Sequence, residues 1–215
     1  MNKQKAEYRS FLFDVGSEDV DGKRRLTGRP IVFNSLTDIG PFDEIIEPGA
    51  LDNTDLRDVR FLVNHNVSMI PLARSRNNNE NSTMQLMPDA EGMAIRVDID
   101  IENNTDARAL SSAVDRGDIT GMSFMMIGLK DRWENPRSEH PTRHIISIDR
   151  VVEVSAVTFP AYSDTSIELR GNSLALDSAI ESLESAKAAE EQEERERQAK
   201  IKRIKILMEV SNHDH

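Results

Sequence analysis

The chain has no cysteine. That removes a disulfide framework, a cysteine nucleophile and thiolate metal ligation together, and it fits a reducing compartment. Aromatic residues are also scarce, 5% of 215 residues with a single Trp. With no ligand-pocket signature beside them, a barrel built around a small hydrophobic molecule is a weak reading. Basic residues are in deficit: 27 Lys and Arg stand against 38 Asp and Glu, for a net charge of −11. Phosphate contacts need clustered positive charge, so nucleic acid and membrane surfaces are both disfavoured as partners. No apolar run approaches the length that crosses a bilayer. Met1 to Glu7 leads into the alternating stretch Tyr8 to Val15 with no apolar segment behind its basic residues, so no signal peptide is expected. These absences together predict a soluble, cytoplasmic protein.

What is present divides in two. A chain of this length supports one domain with a sizeable core and a modest extension. From Tyr8 to about Arg170 the sequence is a series of short apolar segments separated by turn residues, and the clearest alternate with period two as half-buried strands do. Phe11 and Phe13 alternate with Ser10, Leu12 and Asp14; Ile95, Val97 and Ile99 alternate with Arg96, Asp98 and Asp100. Further strands are expected at 29–33, 42–46, 58–64, 83–87, 119–129, 144–148 and 151–159. Turns fall at Pro48-Gly49, 77–82, 88–92 and Asn135-Pro136. One helix interrupts, with Thr105 as N-cap, Ala107, Leu110 and Val114 at helical spacing, and Gly117 where a left-handed residue ends a helix. The expected fold of residues 1–170 is β-rich α+β, a barrel or sandwich carrying at least one helix.

After Gly171 the composition shifts. Leu174 to Met208 has no Gly or Pro and is rich in Ala, Glu, Lys, Arg, Gln and Leu, all strong helix formers. Glu190, Glu191, Glu193, Glu194 and Glu196 precede Lys200, Lys202, Arg203 and Lys205, an order that suits the helix dipole. Ile201, Ile204 and Met208 make a thin apolar stripe. Residues 171–215 therefore read as a separate charged helical tail, either solvated or serving to dock or package the protein.

Three residues stand out for chemistry. His65 ends the apolar strand Val59 to Asn64, where a rigid scaffold can hold an imidazole at a site; neutral imidazole near pH 7 accepts a proton from a hydroxyl and returns it to a leaving amine. The bland alternative is a hydrogen-bonded structural histidine. Ser123 lies inside the apolar run Met122 to Met126, and a buried hydroxyl left unpaired costs roughly 1–3 kcal/mol. It is therefore paired to a nearby carbonyl or used as a nucleophile, and use requires a histidine within hydrogen-bond reach. Glu153 sits in the strand Val151 to Phe159, where a carboxylate needs a partner. It orients His65 or forms a salt bridge to Arg150 or Arg74.

Two metal readings are weaker. His140 and His144 are four apart, but Pro141 breaks the helix that would align them. Asp98, Asp100 and Glu102 share a strand face and suit a hard cation, but they suit the solvated face opposite Ile95, Val97 and Ile99 better.

Six stretches in order resemble the prohead maturation protease family of tailed phages, itself related to the herpesvirus assemblins. They are Gly28 to Asn34, Phe42 to Leu51, Asn64-His65-Asn66, Thr105 to Arg108, Arg116 to Phe124, and Glu153 to Tyr162, across about 140 residues. The resemblance implies a compact β-barrel flanked by helices, serine-protease chemistry and no cofactor or metal, with Ser123 as nucleophile and His65 as base. Many members carry aspartate after the histidine; here Asn66 stands there, which leaves Glu153 as third member, in a role that assemblins give to a second histidine. The implied partners are the major capsid protein with its scaffolding segment, other prohead proteins and, by analogy with assemblins, a second copy as homodimer. Self-cleavage is implied too, with the tail clipped off once enclosed. The place of action is the assembling prohead in the host cytoplasm. The rival expectation is a non-catalytic assembly protein of the same fold.

Overall fold

The structure is a computed structural model, and it describes residues 6–12, 16–20, 23–158 and 173–211. The expectations for Phe13, for the N-terminal Met1 to Lys5 and for Phe159 to Tyr162 fall outside these residues.

Eleven strands and two helices are described. In chain order they are β1 (Ala6–Leu12), β2 (Gly16–Val20), β3 (Lys23–Val32), β4 (Thr37–Asp38), β5 (Asp43–Ile46), β6 (Asp58–Val63), β7 (Ala73–Arg76), β8 (Met84–Asp89), β9 (Gly92–Ile99), α1 (Thr105–Asp115), β10 (Gly121–Glu134), β11 (Thr142–Val157) and α2 (Ser173–Ser211). One sheet runs β2-β3-β9-β8. The other runs β1-β10-β11-β5-β4, with β6 joining β11 to β7.

The alternation read in the sequence is the alternation of burial. In β9, Met93, Ile95, Val97 and Ile99 are all at or below 3% exposure. Met122, Phe124 and Met126 of β10, with Val154 and Ala156 of β11 and Phe61 of β6, meet the inward residues of β3, β8 and β9 in one continuous core. The two sheets pack face to face, and close approach is needed where Gly28 meets β10. A Cβ there would stand 2.6 Å from Met122 Sδ.

The described strands form two open sheets, which corrects the expectation of a closed barrel. The reason lies in β11. It is expected as two strands but forms one of 16 residues, and its outer edge is shared between two short parallel partners. Thr142 to Ile145 pair with β5, and Glu153 to Ala156 pair with β6. The sheet forks there, so no continuous edge returns to meet β1.

In α1 the cap is Asn104 rather than Thr105. Asn104 Oδ1 accepts from Asp106 N at 2.9 Å and from Ala107 N at 3.2 Å. Gly117 ends the helix at φ +74°, as expected. Helix α2 docks by its first turns. Ala179 and Leu183 are buried, Trp133 Nε1 donates to Ser182 Oγ at 3.1 Å, and Ser182 Oγ donates to Asp131 Oδ1 at 2.8 Å. The stripe Ile201, Ile204 and Met208 lies exposed at the far end. Among the described residues no helix is long and apolar enough to cross a membrane.

Candidate active site

Strands β10 and β11 are antiparallel neighbours whose residues alternate between the common core and the opposite face. Phe124 and Val154 pair across the core side; Ser123 and Ser155 pair directly on the other, with Met125 opposite Glu153 in the next row. Side chains two apart on a strand share a face, so Glu153, Ser155 and Ser123 lie together.

His65 reaches the same face from β6. The chain leaves Val63 through two consecutive left-handed residues, Asn64 at φ +49° and His65 at φ +55°. Asn and His are among the side chains that tolerate this region. Asn64 holds the turn down: its N–H donates to Ala156 O at 2.9 Å, its Nδ2 donates to Thr158 Oγ1 at 3.0 Å, and its Oδ1 accepts from Thr158 N at 2.9 Å. The turn points the imidazole back at β11, where Nδ1 lies 2.6 Å from Glu153 Oε1. Glu153 is 1% exposed and His65 is partly open at 22%. An ionised carboxylate only accepts, so this contact places the proton on Nδ1 and leaves Nε2 as the basic nitrogen.

The salt-bridge alternative for Glu153 is not what forms. Arg74 is held by Asp58 at 2.6 and 2.9 Å, and Arg150 Nε is buried without a hydrogen-bond partner among the described residues. Tyr8 of β1 closes over the histidine, its ring edge-on at a centroid distance of 4.6 Å. Burial first, and the charge of Glu153 second, push the Tyr8 hydroxyl pKa upward.

Ser123 is fully buried. Its hydroxyl donates to the backbone carbonyl of Arg9 on β1 at 2.8 Å. Of the two sequence alternatives for this serine, pairing to a carbonyl is the contact that forms, on the strand face that also carries the histidine–carboxylate pair. The Arg9 side chain departs to the core side. There its guanidinium binds Glu44 at 2.6 Å and Glu7 at 2.7 Å, and Arg143 binds Glu7 at 2.9 Å and Asp131 at 2.6 Å. Burial opposes the charge on both arginines, but the Glu44 and Glu7 carboxylates outweigh it and raise both pKa values.

The remaining candidates separate. His144 Nδ1 lies 2.7 Å from Glu47 Oε1 and its Nε2 lies 3.1 Å from Glu134 Oε2, while His140 sits with Asp43 at 3.1 Å. Ligand atoms of Asp38, Asp43 and His140 fall within 4.8 Å of one another at the surface, a grouping that the spacing of His140 and His144 did not suggest. Asp98 pairs with Arg25 at 2.7 Å, and Asp100 accepts from the loop amides of Asn103 and Glu102. Ser155 and Tyr8 were not singled out from sequence. A serine two residues beyond a buried carboxylate on one strand is the signal that was available for the first; Tyr8 carried none.

A family model described as Caudovirus prohead serine protease matches residues 12–179. Among solved structures the chain is similar to the bacteriophage T4 capsid assembly protease at 12% identity and TM-score 0.47, over 74% of this chain and 100% of that one. No curated protein matches.

Proposed function

This chain belongs to the caudovirus prohead serine protease family, and on that premise we propose that Ser123 is its nucleophile, His65 the general base and Glu153 the residue that orients the base. The protein is a prohead maturation protease, and the family's proteolytic character disfavours the rival reading as an assembly protein without activity. The observation that carries the residue assignment is the 2.6 Å contact between Glu153 and His65 on the strand face that also bears Ser123.

The Ser123 oxygen attacks the scissile carbonyl as its proton passes to His65 Nε2. The tetrahedral intermediate collapses, the C–N bond breaks, and the proton moves from Nε2 to the leaving amine. Water then repeats the sequence to free the acyl group. Through both halves Glu153 holds the Nδ1 proton and stabilises the imidazolium. Before attack, the Ser123 hydroxyl must exchange the Arg9 carbonyl for the imidazole, so the arrangement with β1 in place is a resting one.

The substrates are the major capsid protein with its scaffolding segment, other prohead proteins and the chain itself, acted on inside the assembling capsid, with a homodimer as the assembly state. Residues 1–170 form the protease unit in this reading. Residues 171–215 form a tail that tethers the zymogen and is then removed; the docked first turns and the exposed stripe of α2 support it.

Co-expression with the cognate major capsid protein, followed by intact-mass analysis of both chains, tests the assignment. Wild type is expected to shorten the capsid protein or itself, and Ser123→Ala to leave both intact. Equal cleavage by the two overturns it.

A further inference from the structure

The left-handed turn at Asn64-His65 has a backbone cost: strained conformations of this kind run to roughly 1–3 kcal/mol each for side chains other than glycine. It also turns the N–H of His65 out of the strand ladder. That N–H donates instead to the Ser155 hydroxyl oxygen at 3.1 Å. The Ser155 proton goes to Glu153 Oε2 at 2.5 Å, and Glu153 Oε1 meets His65 Nδ1 at 2.6 Å. The contacts close a ring in which Ser155 holds the backbone of His65 and the carboxylate that holds its side chain.

The direction of every bond in this ring is fixed. An amide can only donate and a carboxylate can only accept, so a hydroxyl between them has one arrangement available. Buried serines in this fold need not be engaged in this way: Ser75 is equally buried, and its hydroxyl has no hydrogen-bond partner among the described residues. Ser155 also lies directly opposite Ser123.

We propose that Ser155 is a positioning residue for the hydrolytic reaction, setting the imidazole of His65 against the nucleophile through a hydroxyl that clamps the His65 amide and the second oxygen of Glu153. This rests on the assignment of Ser123, His65 and Glu153 above. Its proton is committed to Glu153 and its lone pair to the amide, so it is not itself the attacking group.

The test uses the full chain and an alkyl fluorophosphonate, which forms a bond from serine oxygen to phosphorus, expels fluoride and passes the serine proton to His65. The limiting rate and the half-saturating concentration are measured separately, and the adduct is mapped by tandem mass spectrometry. For Ser155→Ala the limiting rate is expected to fall roughly 10- to 100-fold, the scale for a misplaced reacting group, with half-saturation unchanged. Ser155→Thr, which restores a hydroxyl, is expected to recover most of it. If Ser155→Ala does not fold, Ser155→Cys replaces it as a near-isosteric weak donor and is expected to be slow where Ser155→Thr is not. An adduct on Ser123 with an unchanged rate in Ser155→Ala or Ser155→Cys overturns the proposal alone. An adduct on Ser155, or labelling that survives Ser123→Ala, overturns the nucleophile assignment as well. A readout independent of turnover is the His65 Nδ1 proton by NMR, expected to be slowly exchanging and downfield in wild type and broadened in Ser155→Ala. An identical resonance in both counts against the clamp.

Discussion

Strand β10 has a different neighbour on each side, and the two treat the site in opposite ways. On the β11 side, side chains make the contacts: Glu153 and Ser155 bind His65 through two hydrogen bonds of 2.6 and 3.1 Å and each other through a third of 2.5 Å. On the β1 side, backbone makes the contact: the Arg9 carbonyl occupies the hydroxyl of Ser123. One neighbour supplies machinery and the other a cover. On the assignment proposed above, a preorganised base beside a restrained nucleophile suits a prohead protease, because its electrostatics are built in advance while the first step waits.

The β11 side is broken most severely at its carboxylate. Glu153→Gln keeps the shape but presents an amide where His65 needs an acceptor in a fixed tautomer, and turnover of the capsid substrate is expected to drop by roughly 10³- to 10⁴-fold, as for the equivalent change in a serine-protease triad. Retention of more than a tenth of wild-type cleavage, quantified by gel densitometry, would remove Glu153 from the mechanism.

The β1 side is fastened by charge. Glu7 and Arg9 from β1 meet Glu44 of β5 and Arg143 of β11 at burial of 6% exposure or less. Taking away Arg143 leaves Glu7, Glu44 and Asp131 facing Arg9 alone, and breaking a buried network in this way costs about 3–5 kcal/mol. Urea denaturation of Arg143→Ala should show that loss; a change below about 1 kcal/mol would mean that the network adds little to the attachment of β1.

The cover can be locked. Ala6 and Ile127 are cross-strand partners, and the absence of native cysteine makes Ala6→Cys with Ile127→Cys a clean disulfide pair at a spacing such partners allow. Oxidation is expected to slow fluorophosphonate labelling of Ser123 by about tenfold, with recovery in reductant. Equal rates in the two states would show that β1 does not gate the nucleophile.

Sequence legibility follows the same division. The β11 side was readable in part: a carboxylate and a hydroxyl in apolar strands must be paired or used, which singled out Glu153 and Ser123 without deciding between the two, and it was the family resemblance that favoured Ser123 and His65 as nucleophile and base. Ser155 did not, since a small residue in an apolar run is compatible with simple packing, and its role depends on the left-handed turn at Asn64 and His65. β1 was legible as a strand from its alternation, but its pairing to β10 and the carbonyl at Arg9 are long-range facts. β2, Gly16–Val20, and β7, Ala73–Arg76, are short and polar edge strands with no alternating signal. Asn104 and Thr105 are both cap formers, and only the side-chain bond decides between them. The barrel failed on strand length: two apolar runs joined at Asp149-Arg150 were one strand, and its forked edge left the sheet open.

An exposed ion pair gives the mildest test of what burial adds at β1. Arg29 of β3 and Asp89 at the end of β8 form a two-pronged contact at 2.6 and 2.7 Å with Asp89 43% exposed. The hydrogen bond from Arg29, then the Glu91 amide, hold the Asp89 carboxyl down to a pKa of about 2. A depressed carboxylate pKa contributes stability that is present above the unfolded value near 3.9 and lost as pH falls through the folded one. The melting temperature of Asp89→Asn should therefore sit slightly below wild type at pH 6, and the gap should close between about pH 4 and pH 2 and shrink with added salt. The Arg143 defect, fixed by buried charge, should persist in salt. If both gaps respond equally to salt, the network under β1 is solvated and the distinction between a charged fastening and a surface pair does not hold.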